Sequence, residues 1–152
     1  MDSDLGICEL SDIVEAAIQG KAAPLLAESR AKLKVVEFGD SPLISLEPMR
    51  DGAAPLEVSI DTEHLVTCFP GRCGMSYEVF SKDPREIERY VCGLTKAVIA
   101  GGYTERVSDA GAKTRIVAQW EEGGKTVAPR INVIRTPRPN ARDWRMVKYL
   151  PY

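Results

Sequence analysis

The stretch from Met75 to Thr104 constrains the fold most, because it carries signals for a strand, a helix start and a helix end in that order. Residues 75–80 (MSYEVF) indicate a strand. Asp83 is a favourable N-cap, since its carboxylate can accept a hydrogen bond from the backbone N–H of Glu86. Glu86 can reach back to the N–H of Asp83, which makes a capping box, and Pro84 suits the first helical position. We therefore predict a strand that leads directly into a helix.

One apolar stripe runs along this predicted helix. Its members recur at helical spacing: Ile87, Tyr90, Val91, Leu94 and Val98. The pair Gly101-Gly102 supplies a left-handed residue that can end the helix. Residues 84–100, at about 1.5 Å of rise each, make a rod of roughly 25 Å, which can cross one face of a small sheet.

The chain before this unit indicates one interrupted helix and a series of strands. Ser11 can cap a helix over residues 12–19, Gly20 interrupts it, and Pro24 opens a second short helix or a bent continuation. Strands are predicted at residues 35–38, 43–46, 56–61 and 64–69. Residues 56–61 alternate between apolar and polar side chains, which is typical of an antiparallel sheet with one face in water.

The chain after this unit indicates a hairpin and a tail. Strands at residues 114–120 and 125–134 are joined at Glu122-Gly123-Gly124, and Pro129 favours an edge or a bulge in the second strand. The tail 136–152 starts extended and can pack back on the domain through apolar side chains. These are Trp144, Met146, Tyr149 and Leu150. Residues 1–152 are predicted to form one α+β domain, a mostly antiparallel sheet (meander plus hairpin) with helices packed on one face.

Length and composition indicate a soluble globular protein. A chain of 152 residues can bury about two-thirds of its unfolded surface, so it needs neither metal nor disulfide to fold. No apolar run is long enough for a membrane span and the first residues lack a signal-peptide pattern, so we expect a cytoplasmic protein without membrane contact. The four cysteines form no CxxC pair and are expected to be apolar fillers, with a Cys68–Cys73 bridge as an alternative.

Charge is unevenly distributed, although the net charge is only −2. Residues 1–20 contain acidic side chains and no Lys or Arg. The charged residues from 129 onward are basic except for Asp143: Arg130, Arg135, Arg138, Arg142, Arg145 and Lys148. The two ends can neutralise each other across the fold. Alternatively, the basic segment tracks a phosphate backbone, with Trp144 and Tyr149 adding base stacking.

Catalytic and metal-binding patterns are missing from the sequence. The single histidine, His64, lies in or beside a hairpin turn, where solvation is more common than catalysis. Asp61 and Glu63 lie in the same hairpin connection, where both should be hydrated. No nucleophile, nucleotide or zinc motif occurs, so we expect no catalytic residue, no cofactor and no metal. A small hydrolase or isomerase that uses buried carboxylates remains an alternative.

Several exposed side chains favour a protein-binding surface. Trp120 stands beside Glu121 and Glu122 at a hairpin tip, but it is also in phase with apolar neighbours, so core burial is the simpler expectation. The tip carboxylates, together with Asp61 and Glu63, could meet a basic partner. The candidate partner-binding residues are therefore Asp61, Glu63, Arg72, Trp120, Glu121 and Glu122, with Arg72 as an anchor for a carboxylate.

The segments SYEVF (residues 76–80) and IERYV (residues 87–91) resemble a pattern of small actinobacterial immunity proteins. These include the family that neutralises the NAD-glycohydrolase tuberculosis necrotizing toxin. The resemblance implies an α+β fold, no enzymatic activity and tight one-to-one binding that occludes the active site of a toxin. It covers roughly residues 75–104, and it carries over no partner-contacting residue.

The sequence therefore predicts a non-catalytic protein that binds another protein, as an antagonist of a cognate toxin. A net charge of −2 disfavours a strongly basic nuclease as the target. The alternative is a nucleic-acid-binding module that uses the basic residues from Arg130 to Lys148. The sequence makes no prediction of oligomeric state.

Overall fold

The structure is a computed structural model that describes residues 6–38, 41–62, 64–108, 115–122, 124–127 and 144–152. Two helices and nine strands lie in these residues. The helices are α1 (Ile7–Ala27) and α2 (Pro84–Ala100). The strands are β1 (Ala31–Phe38), β2 (Ser41–Pro48), β3 (Leu56–Thr62), β4 (Leu65–Pro70), β5 (Tyr77–Phe80), β6 (Thr104–Ser108), β7 (Arg115–Glu122), β8 (Lys125–Val127) and β9 (Trp144–Lys148).

The strands form two antiparallel sheets, and the predicted α+β class is confirmed. The first sheet is a five-stranded meander in the order β1-β2-β3-β4-β5. The second has four strands in the order β8-β7-β6-β9. The predicted hairpin is present as β7 and β8, and residues 128–134 of its predicted second strand lie outside the described residues.

The meander has one buried face and one open face. Leu56, Val58 and Ile60 of β3 are fully buried under the helices, while Glu57 and Asp61 are exposed. This is the alternation expected of a sheet with one wet face. Both helices pack on the buried face, α1 against β1 to β3 and α2 against β4 and β5. Helix α2 also contacts β7, so both sheets share one hydrophobic core.

Helix α2 begins and ends at the predicted residues, but the hydrogen bonds of its N-terminal cap differ from the predicted ones. The carboxylate of Asp83 accepts a hydrogen bond from the backbone N–H of Arg85 (3.0 Å), one residue earlier than expected. The hydroxyl of Ser81 accepts from the N–H of Asp83 (3.1 Å) and donates to the carboxylate of Glu86 (2.7 Å). Glu86 therefore reaches the helix start through Ser81. At the other end Gly101 is left-handed, with φ 74°.

Helix α1 is continuous, and the predicted interruption is wrong. It runs through Gly20 and Pro24, and its N-cap is Gly6 rather than Ser11, which is buried inside the helix. Pro24 removes one N–H from the ladder. The buried residues of α1 extend on both sides of Gly20, from Leu10 to Leu25, so packing against the sheet holds the helix together where local propensity is weak.

Residues 150–152 form hydrogen bonds with the loop at residues 52–54 and with the end of α2. The N–H of Leu150 donates to the carbonyl of Gly52 (2.9 Å), and the hydroxyl of Tyr152 donates to the carbonyl of Ala54 (2.6 Å). The N–H of Tyr152 donates to the carbonyl of Ile99 at the end of α2 (3.0 Å). Packing of the tail was predicted, and Tyr149 is indeed buried, while Met146 and Leu150 are exposed.

The described helices include none that is both long enough and apolar enough to span a membrane.

Candidate functional site

The open side of β3, β4 and β5 carries acidic and aromatic side chains, and we call it the acidic face. Register fixes which residues stand side by side on it: Glu57 lies opposite Phe69, Ser59 opposite Thr67, and Leu65 opposite Phe80. The members of the acidic face are Glu57, Ser59, Asp61, Leu65, Thr67, Phe69, Glu78 and Phe80. None of them is basic.

Asp61 is held in place on this face. The hydroxyl of Ser59 donates to one of its carboxylate oxygens (2.7 Å), and the hydroxyl of Thr67 donates to the other. The strand pairing shifts at this point, between Ile60 and Thr62, as in a β-bulge. Bulges re-aim side chains at sheet edges. The carboxylate of Asp61 is thus fixed in direction although its side chain is exposed.

Two phenylalanines on the acidic face are exposed to solvent. Phe80 is 70% exposed and Phe69 is 38% exposed, although aromatic side chains of this size usually contribute to a core. The ring of His64 meets the ring of Phe80 edge-on, with 6.5 Å between centroids. Aromatic residues are enriched at protein interfaces, whereas Asp, Glu and Ser are depleted there, so the two rings are the part of this face that most favours a partner.

A pocket of about 250 Å³ lies at one end of the acidic face. Its lining consists of Pro55, Glu57, Phe69, Pro70, Gly71, Arg72, Gly74 and Met75. Gly71 and Gly74 both have positive φ (75° and 87°), so the turn between β4 and β5 depends on glycine. Within the described chain neither Glu57 nor Arg72 belongs to an ion pair. The pocket can therefore offer a partner the carboxylate of Glu57 and the guanidinium of Arg72, whose Nη2 donates to the carbonyl of Ala53 at 3.5 Å.

A buried carboxyl group lies directly behind this turn. Glu105 of β6 is fully buried, and its Oε1 accepts a hydrogen bond from the hydroxyl of Tyr149 (2.7 Å). That hydroxyl in turn accepts from the backbone N–H of Arg72 (2.7 Å). The thiol of Cys73 lies 3.8 Å from the same hydroxyl. One chain of contacts thus joins the second sheet to the turn that carries Arg72.

Among the described residues, three polar side-chain atoms in this part of the core are buried without a hydrogen-bond partner. They are Glu105 Oε2, the hydroxyl of Tyr103 and the indole Nε1 of Trp120. The ring of Tyr103 stacks on Tyr149 with centroids 6.0 Å apart and lies 6.1 Å from that of Trp120. Unpartnered buried polar atoms are costly and uncommon, so this cluster is held by the packing of its aromatic rings.

Burial raises the pKa of the ionisable groups of this cluster. Burial raises the pKa of Glu105, while hydrogen bonds from Tyr149, Cys73 and the N–H of Arg72 act against that rise. Burial likewise raises the pKa of Tyr149 and of Tyr103, and the nearby Glu105 adds to both. The pKa of Cys73 is raised by burial as well, which disfavours the thiolate that a nucleophile needs.

The structure separates the predicted partner-binding residues. Asp61 lies on the acidic face and Arg72 lies in the pocket at its end. Glu121 is exposed on β7, in the other sheet, so it does not belong to this surface. Trp120 is only 1% exposed, so the expectation of core burial is confirmed and its side chain cannot contact a partner. Glu63 and the side chain of Glu122 lie outside the described residues.

The predicted nucleic-acid residues are described only in part. Arg130, Arg135, Arg138 and Arg142 lie outside the described residues. Arg145 and Lys148 are exposed on β9, where their spacing of three places them on opposite sides of the sheet. These two side chains therefore do not form a common basic surface.

Within the described residues, the His, Cys, Asp and Glu side chains form neither a metal site nor a disulfide. In the part of the chain that is described, no group of three or more His, Cys, Asp or Glu side chains could hold a metal ion. All four cysteines are free, so the Cys68–Cys73 bridge does not form. Cys68 is fully buried in the core, and burial raises its pKa to about 12.

Sequence reasoning missed the buried cluster and most of the acidic face. The alternation of Glu105 with Val107 in β6 is a signal that places the carboxyl on a buried face. No sequence signal links Glu105 to Tyr149, which lies 44 positions away. Comparison with protein-family models, with curated proteins and with solved structures found no match to this chain.

Proposed function

We propose that this chain is a non-catalytic protein that binds another protein through the acidic face. The observation that carries the proposal is the composition of that face, with three exposed carboxylates and two exposed phenylalanine rings. These are Glu57, Asp61, Glu78, Phe69 and Phe80. Arg72 is the only Lys or Arg between residues 56 and 80, and it lies at the end of the face.

Charge complementarity defines the partner as a protein with a local basic patch around an apolar centre. Phe80 would supply the apolar contact, since burying a phenylalanine side chain is worth about 1.5–3 kcal/mol. The carboxylates would steer the approach and set the orientation. Arg72 would pair with an acidic side chain at the edge of the partner's patch, which adds specificity in the same way.

The resemblance to actinobacterial immunity proteins supports a narrower proposal, in which the partner is a cognate toxin whose active site is covered. The fold that the resemblance implies agrees with the α+β fold described above. An open sheet face suits this role, because it can be pressed against a cleft without rearranging the core. The partner need only be basic around its active site, which a net charge of −2 on this chain permits.

The proposal holds that the protein makes and breaks no covalent bond. Two properties of the buried cluster support this view. Glu105 is covered completely by its own sheet and by the turn at Gly71, so a substrate would have to displace that turn to reach it. The raised pKa of Cys73 leaves its thiol protonated where a nucleophile would need to be ionised.

The test is co-expression of the full chain with the product of a neighbouring toxin-like gene, followed by a pull-down and a growth assay. We expect a stable complex and restored growth. The paired substitution Glu78→Lys with Phe80→Ser should abolish both, because it inverts a charge and removes the most exposed ring. Glu88→Lys is the matched control, since Glu88 is exposed on α2, away from the acidic face.

Three results would sink the proposal. They are the absence of a complex, a complex that gives no protection, and a complex that tolerates the paired substitution as well as it tolerates Glu88→Lys. Circular dichroism of both variants checks that the fold is kept, which is expected because the replaced side chains are exposed.

A further inference from the structure

The turn that carries Arg72 is fixed by a group buried beneath it. The backbone N–H of Arg72 donates to the hydroxyl of Tyr149, which donates to the carboxyl of Glu105, both at 2.7 Å. The N–H of Gly71 donates to the carbonyl of Pro55 (2.9 Å), and Pro55 also lines the pocket. The pocket wall is therefore built on the Glu105–Tyr149 pair.

Gly71 lies closer to this carboxyl than any other residue type would allow. A Cβ added at Gly71 would lie 1.9 Å from Oε1 of Glu105 and 2.9 Å from the hydroxyl of Tyr149. The turn thus covers the carboxyl without a gap. A change in the position or hydration of Glu105 must therefore move the backbone at Gly71, and Arg72 with it.

The groups that face Glu105 come from β7, β9, the residue after β9, the turn after β4 and the segment before β6. Tyr149 follows β9, while Cys73 and the N–H of Arg72 belong to the turn. Each of these three groups offers a hydrogen-bond donor to the carboxyl of Glu105. Tyr103 precedes β6, and its hydroxyl is within electrostatic reach of Glu105. Across the sheet, Glu105 stands opposite Ala118 of β7 and Val147 of β9, which are apolar. Arg145 of β9 acts on Cys73, whose pKa it lowers.

We propose that Glu105 and Tyr149 are positioning residues for Arg72, and that loss of the proton from Glu105 releases the turn from Gly71 to Gly74. This inference rests on the proposed function only in the use it gives to Arg72. The protonated carboxyl is neutral and fits a fully buried site. The ionised carboxyl shares its charge between Oε1, which accepts from Tyr149, and Oε2, which no donor among the described residues meets. Moving the turn is the least costly way to admit water, because Arg72 and Gly74 are already exposed.

The direction of the pH effect follows from linkage. The closed turn raises the pKa of Glu105, while the open turn returns it towards the ordinary value of 4.5. The closed form therefore binds the proton more tightly, and its advantage is complete below that value. The contribution of the proton to closure falls as pH rises through the pKa of the closed form, and it is lost above that pH.

The test is nuclear magnetic resonance of the free protein. The carboxyl carbon of Glu105 reports its titration, and the exchange protection factor of the Arg72 amide reports closure of the turn. We expect protection to fall about tenfold for each unit by which the pKa of Glu105 is raised. The amide of Ile60, which is buried in the meander, is the internal control and should keep its protection.

Two variants separate positioning from general stability. Glu105→Gln keeps an acceptor for Tyr149 but cannot ionise, so Arg72 should stay protected at every pH. Tyr149→Phe removes the link and should leave Arg72 weakly protected at every pH, with Ile60 unchanged. The inference is wrong if Glu105 titrates without a change at Arg72, or if Glu105→Gln keeps the pH dependence of wild type. The wild-type titration decides the matter alone if neither variant folds.

These outcomes are independent of the binding experiment. Loss of complex in the variant with Glu78→Lys and Phe80→Ser, together with a flat Arg72 protection profile, would remove the inference and leave the proposed function intact. A pH-dependent turn in a protein that forms no complex would do the reverse.

Discussion

At the scale of single residues, the most unusual feature is an ionisable side chain, Glu105, at a fully buried position. Glu105 is a carboxyl with no exposed surface, and one of its two oxygens has no donor within the part of the chain that the structure describes. The ring of Tyr103, which precedes β6, packs against the rings of Trp120 and Tyr149. Burial of a charged carboxylate is costly, so the folded state binds the proton of Glu105 more tightly than the unfolded state does.

The pH dependence of stability should reveal this proton. Because the folded state raises the pKa of Glu105, the free energy of unfolding should fall as pH rises from about 4.5 through the folded-state pKa. Glu105→Gln should flatten this part of the profile while costing about 1 kcal/mol at low pH, through a weaker bond to Tyr149. Urea unfolding of both proteins at a series of pH values measures the difference. Parallel profiles would show that Glu105 does not titrate on unfolding.

Gly71 and Gly74 allow a matched test of the close approach to Glu105. Both have positive φ (75° and 87°), so alanine at either position should cost about 1–2 kcal/mol of backbone strain. Only at Gly71 would the new Cβ meet other atoms, while at Gly74 nothing lies within 4 Å. Gly71→Ala should therefore be less stable than Gly74→Ala by roughly another 1–3 kcal/mol. Equal midpoints in thermal unfolding would contradict this geometry.

At the scale of elements, α2 is the most locally determined part of the fold. Its N-cap, its first-turn proline and its left-handed C-terminal glycine all lie within or beside the helix. The use of Ser81 as a relay to Glu86 adds a local contact just before the helix. Most of the information for this helix is therefore carried by residues 81–101.

Loss of the α2 cap should have a modest and local effect. Asp83→Ala leaves the N–H of Arg85 without its acceptor and should lower the free energy of unfolding by about 1 kcal/mol. Ser81→Ala should have a comparable effect, since it removes both bonds of the relay. Ser76→Ala, at an exposed position outside any strand or helix, is the control and should change little. Denaturant midpoints report these differences, and no loss in Asp83→Ala would show that the cap bond is not formed in solution.

The elements that could not be predicted are those held by distant partners. Strand β6 has only five residues, and it lies between β7 and β9, with Thr104 opposite both Gln119 and Lys148. Neither its length nor its composition marks a strand until those partners are known. The prediction for helix α1 was wrong for a related reason. Packing of α1 against the sheet overrides the local signals of Gly20 and Pro24. Asp61 and Arg72 were correctly placed on the surface, because turn signals bracket both.

At the scale of the whole molecule, the two sheets contribute different parts of the candidate site. The second sheet supplies the buried cluster that supports the turn at Gly71, and the first supplies the open surface beside it. Contacts of Tyr77 in β5 with Trp120 in β7, at 5.5 Å between ring centroids, join the two. A surface built on a shared core can bind with little rearrangement, which favours affinity by reducing the ordering cost.

On the acidic face, the carboxylates should control the rate of association with the partner, and the aromatic rings should control the rate of dissociation. Replacing Glu57 and Glu78 together by Gln should slow association by about tenfold at low salt and have little effect at high salt, because exposed charges act through a screened field. Phe80→Ala should instead speed dissociation, because it removes buried contact area. The double variant Glu9→Gln with Glu88→Gln, at exposed positions of α1 and α2, is the charge-matched control. Surface-immobilised partner and a series of salt concentrations give both rates. A double Gln variant that changes only dissociation would place these carboxylates inside a desolvated contact rather than around it.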